Sequence, residues 1–187
     1  MKNVFFVAIA LALFSCKQSQ EVEVKTAPSQ HSDTAIITST GDLNVTEEFV
    51  EVTFKTEEAT QVHRAYLNLK GAFVNTDAED AASVAKDFSQ MLTVVPSADT
   101  FSALKSDLDQ IARSTNVDKQ REVFEDVSKS VEVYLSGELA SGSLVKQYCP
   151  MAFDGKGAYW LSDSKEIRNP YYGDKMLKCG VVDKEIE

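Results

Sequence analysis

Basic residues are scarce in this chain: 19 lysines and arginines stand against 29 aspartates and glutamates in 187 residues, a formal net charge of −10. Such a chain has no basic stripe to neutralise phosphates, which argues against nucleic acid, and no electrostatic pull toward anionic lipid. Histidine is scarcer still. With only His31 and His63, a zinc site is disfavoured, since thioethers are poor partners for that ion. There is no Cys-x-x-Cys for thiol exchange, and no paired-carboxylate, nucleophile–base or phosphate-loop pattern, so the expectation is that this is not an enzyme. Long apolar runs are missing too. The stretch from Val4 to Phe14 is too short to span a bilayer.

That stretch has the layout of an export signal: Lys2, an apolar run, then Leu13-Phe14-Ser15-Cys16, similar to a bacterial lipobox. The expectation is a signal peptide over residues 1–15, cleaved before Cys16, which becomes the lipidated first residue. Cleavage removes one lysine and no acid, making the mature chain more acidic than −10. Lys17 after the cysteine, with no acidic run behind it, points to the outer membrane facing the periplasm. Attachment would come through lipid chains alone. Residues 17–48 are polar, rich in Ser, Thr and Gln, and aperiodic, and read as a tether whose reach is about 30 Å if flexible. The remaining 49–187 is long enough for one domain with a real core.

Most of that domain carries helical periodicity. Ala59, Val62, Tyr66, Leu69 and Phe73 form one stripe behind Thr56 as N-cap. Thr76-Asp77-Ala78-Glu79 reads as a capping box for a second stripe that includes Ala81, Ala85, Phe88, Met91 and Leu92 and stops at Pro96. A third stripe carries Phe101, Leu104, Leu108 and Ile111, and a fourth carries Phe124, Val127, Val131 and Leu135. Short connections favour antiparallel neighbours, so the expected fold is mainly α: an antiparallel four-helix bundle over about 56–140, followed by a small loop-rich cap over about 144–183. Met91 is read as packing. His63, beside Val62, is read as exposed or packing, though it could reach a site docked on the bundle. Residues 49–55 and 144–148 alternate like short strands and could pair with each other.

The cap differs in character. Between Tyr148 and Gly180 lie four of the eight glycines and the only tryptophan, and irregular backbone of this kind usually needs a staple. Cys149 and Cys179 are the available ones. In an exported protein they can form a disulfide, contributing ~3 kcal/mol and leaving an aromatic loop to bind another envelope protein. A second reading starts from the methionines. An extended Cys149-Pro150-Met151 would put its first and third side chains on one face, and a helical turn over Met176-Leu177-Lys178-Cys179 would do the same for its ends. Two thiolates and two thioethers select Cu(I) or Ag(I) over hard cations. Trp160 with Tyr159, Tyr171 and Tyr172 is read as the cap's small core, and Asp154, Asp163, Glu166 and Asp174 as solvated loop residues.

The block YCPMAFDGKGAYWLSDSKEIRNPYYGDKMLKCGVV resembles the C-terminal signature of a family of small Bacteroidota domains of unknown function, found also at the end of some periplasmic adaptors of Cus-type copper and silver efflux systems. RAYLNLKGAFVNTD, LKSDLDQIA and QREVFEDVSKSV resemble the helical part of the same family. The resemblance implies a periplasmic heavy-metal-handling module, with Cys149, Met151, Met176 and Cys179 where the family's sulfur residues stand. This chain has no room for an adaptor's lipoyl-like, barrel and hairpin parts. What the resemblance leaves is binding, buffering or delivery of metal, with an efflux adaptor or another envelope protein as partner.

Overall fold

The structure, a computed structural model, describes residues 41–187. The expected signal, Cys16, His31 and the tether as far as residue 40 lie outside the described residues.

The helices form where the apolar stripes foretell them. Helix α1 (Glu57–Val74) starts at Thr56, whose hydroxyl accepts the Ala59 N–H at 3.1 Å, with Glu57 and Glu58 in its first turn beside the positive end of the helix dipole. Helix α2 (Ala78–Met91) is capped by Asp77, which accepts from Glu79 and Asp80. The N-cap therefore sits one residue later than the sequence suggests, and the reciprocal half of the expected capping box does not form, since the Asp77 N–H donates to the Ala72 carbonyl at 3.0 Å. Thr76 is instead a turn residue at φ 58, and its hydroxyl accepts from the Arg121 guanidinium. A 3-10 turn (Ala98–Phe101) leads into α3 (Ser102–Arg113), and Asn116 caps α4 (Val117–Glu138) by accepting from Lys119. Each helix packs on the next, and α1 also packs on α4, enclosing Val62, Tyr66, Phe73, Phe88, Leu108 and Phe124. The chain is mainly α, as expected. Among the described residues no helix is long and apolar enough to cross a membrane.

The strands pair differently from the expectation. Strand β1 (Val52–Phe54) pairs antiparallel with β2 (Leu139–Gly142), which continues directly from α4. Strand β3 (Leu144–Cys149) is the centre of a separate antiparallel sheet, flanked by β4 (Ala158–Ser162) and β5 (Val181–Ile186). The cap is thus built on a sheet, not on loops alone. Tyr66 fastens it to the helices: its hydroxyl accepts the Leu161 N–H at 3.0 Å and lies 2.9 Å from the Ser128 hydroxyl, joining α1, α4 and β4.

The last residues of the expected tether do not hang free. The Leu43 N–H donates to the Asn75 side chain at 2.8 Å, and the Glu47 N–H donates to the Glu166 carboxylate at 2.7 Å. Arg168 donates to the Val45 carbonyl at 3.0 Å. Glu166 is accordingly a structural anchor and not a merely solvated residue; its carboxyl is held below the usual range by those N–H groups and by Arg168.

Candidate sulfur site

Cys149 closes β3, where it lies opposite Ala158, and is fully buried in the main apolar cluster. Pro150 has no N–H to continue the ladder, and the strand ends there. Met151 then takes helical dihedrals (φ −87, ψ −13), so the expectation of an extended Cys149-Pro150-Met151 fails and the same-face argument fails with it. Cys149 is inside, whereas Met151 is 54% exposed. The turn continues through two left-handed residues, Phe153 and Asp154, at φ 52 and 58. It returns to β4 through Gly157 at φ 79, where a Cβ would fall on the Tyr148 hydroxyl. Only glycine fits that position.

Cys179 arrives from the other direction. Residues Gly173–Met176 form a 3-10 turn, and the Cys179 N–H donates to the Met176 carbonyl at 3.0 Å, so Met176 and Cys179 share one turn as the spacing suggests. Fully buried Asn169 organises this segment. Its N–H donates to the Leu177 carbonyl at 2.8 Å, its side-chain oxygen accepts from Tyr171 at 2.8 Å, and its side-chain nitrogen donates to the Cys179 carbonyl at 2.6 Å. Tyr172 ties the two halves together, donating from its hydroxyl to the Met151 carbonyl at 2.6 Å.

The two cysteine sulfurs, thirty residues apart in sequence, lie 3.4 Å from each other as free thiols. Loss of water, and then the adjoining Cys149, push the Cys179 thiol above its ordinary value, which keeps it protonated at neutral pH. A soft ion bound here would have to displace those protons. Trp160 belongs to the same buried cluster, edge-on to Tyr171 at 6.0 Å. Among the described residues no group of three or more histidine, cysteine and carboxylate side chains could hold a metal ion.

Arg121, which the sequence reading passes over, joins the site to the helices. Its buried guanidinium donates to the Phe73 carbonyl at 2.9 Å, the Thr76 hydroxyl at 3.1 Å and the Pro170 carbonyl at 2.8 Å. Gly173 (φ 56) packs into the same corner, where a Cβ would meet the Thr76 hydroxyl. The only signal in sequence was an arginine next to the buried stripe of α4.

His63 does not join the sulfur residues. It is 8% exposed, packs its ring 5.2 Å from Phe54, and has Asp163 and Lys70 as charged neighbours. Burial pulls its pKa down to about 4, so it is neutral at physiological pH. A groove of about 440 Å³ runs along Phe101, Leu104, Val133 and Tyr134, and none of the four sulfur residues borders it.

Residues 62–141 match a family model described as protein of unknown function (DUF3347). No curated protein and no solved structure matches the chain. The matched span runs from the middle of α1 into β2 and stops eight residues short of Cys149, so the similarity rests on the helical scaffold and not on the sulfur-bearing sheet.

Proposed function

We propose that this chain is a lipid-anchored, non-enzymatic domain that binds Cu(I) or Ag(I) as cargo, buffering the ion or delivering it to an efflux adaptor or another envelope protein. In this reading α1 to α4 serve as an antiparallel four-helix scaffold, and Cys16 holds the chain to the outer membrane on its periplasmic side. Cys149 and Cys179 supply thiolates and Met151 and Met176 supply thioethers, a soft donor set. The observation that carries the reading is the 3.4 Å approach of two free sulfurs delivered by separate elements. The alternative is an envelope interaction module whose cap is closed by a Cys149–Cys179 disulfide; the exposure of Met151 beside a fully buried Cys149 favours it.

The test is a Cu(I) titration of the reduced full chain carrying Cys16→Ser against a chromophoric chelator, with a Met151→Leu/Met176→Leu variant alongside. The parent is expected to withhold a stoichiometric amount of copper, and more strongly at higher pH because two thiol protons must leave. The double variant is expected to yield that copper to the chelator. A parent that leaves all the copper with the chelator ends the metal reading. A double variant equal to the parent removes the methionines from the ligand set.

A further inference from the structure

We infer that Cys149 and Cys179 are a reversible dithiol/disulfide couple, entered from solvent through Cys179 and closed by Cys149, which decides whether the proposed site can take metal. The gating consequence rests on the metal reading above; the couple itself rests on geometry. The sulfurs are already in contact at 3.4 Å, so bond formation asks for a shift on the order of 1 Å. The two cysteines are not equivalent. Cys149 is fully buried at the end of the central strand β3, opposite Ala158 of β4 and one residue past the last pair with β5. Cys179 is partly exposed, in a turn outside the ladder, directly before β5. An oxidant arriving from solvent meets Cys179 first.

The oxidant is a disulfide R–S–S–R, from a small molecule or another protein. The Cys179 thiolate attacks one of its sulfurs, the reagent's S–S bond breaks, and RS⁻ leaves behind a Cys179–S–S–R mixed disulfide. The Cys149 thiolate then attacks the Cys179 sulfur and expels the second RS⁻. The two thiol protons end on two molecules of RSH. The chain has lost two hydrogens and two electrons, and the reagent has gained them. The oxidised pair has no thiolate to offer a soft ion, whereas a bound ion engages both sulfurs and shields them from the reagent.

The full chain carrying Cys16→Ser is incubated with oxidised glutathione, quenched with acid and weighed by mass spectrometry. The parent is expected to lose two hydrogens and retain no glutathione. With Cys149→Ala the adduct should accumulate on Cys179, and with Cys179→Ala the protein should stay unmodified. In urea both variants should react alike, which shows that accessibility in the fold sets the order. Equal adduct formation in the folded variants, or a parent that keeps glutathione, overturns the couple. Oxidised and reduced parent are then compared in the copper titration. Equal copper binding by the two overturns the gate. If neither binds, the metal reading falls and takes the gate with it, while the mass data still decide the couple.

Discussion

Replacing Lys70 with methionine is expected to stabilise the protein at neutral pH. Lys70 is 1% exposed on α1, and its ammonium makes one long hydrogen bond, 3.4 Å to the Ser162 hydroxyl. No carboxylate pairs with it among the described residues. Burial lowers its pKa from 10.5 to about 8, against a partial opposing pull from Asp163. At 1.36 kcal/mol per unit, the charged form costs the fold ~3 kcal/mol. Because the folded value lies below the unfolded one, that cost is fully present below about pH 8 and is relieved as pH rises toward the unfolded value, where the unfolded chain still holds its proton. Methionine keeps the volume and gives up one weak hydrogen bond worth ~1 kcal/mol, which leaves a net gain of ~2 kcal/mol near neutrality. Urea unfolding followed by the fluorescence of Trp160, the only tryptophan and a buried one, measures it directly. The advantage should hold up to about pH 8 and shrink above it. A variant less stable than the parent at neutral pH, or a difference that does not change with pH, would refute the reasoning.

His63 works in the acid range with the same sign. Its folded pKa of about 4 lies below the ordinary 6.5, so protonating the unfolded chain costs the fold up to ~3 kcal/mol as pH falls through that window. His63→Phe should flatten this part of the stability profile, as read from urea midpoints across the window. Arg121→Met strips the buried Pro170 carbonyl of its donor, leaves the Phe73 carbonyl with only the Thr76 N–H at 3.1 Å, and should cost ~2 kcal/mol or more. If the cap is held this way, hydrogen exchange in residues 169–180 should accelerate more than in α2 or α3. Gly157→Ala, with its Cβ driven onto the Tyr148 hydroxyl at a left-handed φ, should lose ~2 kcal/mol or more, whereas Gly155→Ala, open to space, should lose less. Equal losses in urea unfolding would mean that backbone strain, not the Tyr148 contact, sets the cost.

The helices were legible because each stripe is local: spacing alone reveals which face of α1 or α4 turns inward. The sheet was less legible. Alternation in residues 49–55 marks an extended piece but says nothing about its partner, and β1 joined the strand that leaves α4 because the chain passes that way. The pairing of Cys149 with Cys179 was visible from their scarcity. The path at Met151 was not, because Phe153 and Asp154 take left-handed dihedrals that ordinary sequence signals assign to glycine or asparagine. Lys70 and Arg121 were invisible for a related reason: a long cationic side chain reads as surface until the structure shows what encloses it.

The Arg121 junction has a consequence for how such a molecule can change. The cap's share of that junction is a main-chain oxygen, the carbonyl of Pro170, so the helices grip the path of the chain and not the identity of its side chains. Residues on the cap other than Gly173, where a Cβ would meet Thr76 and Arg121, can be exchanged without loosening that grip, the sulfur residues included, provided the turn around Asn169 keeps its course. One helical platform could therefore carry caps of different chemistry, which makes the pairing of platform with payload a matter of substitution, not redesign.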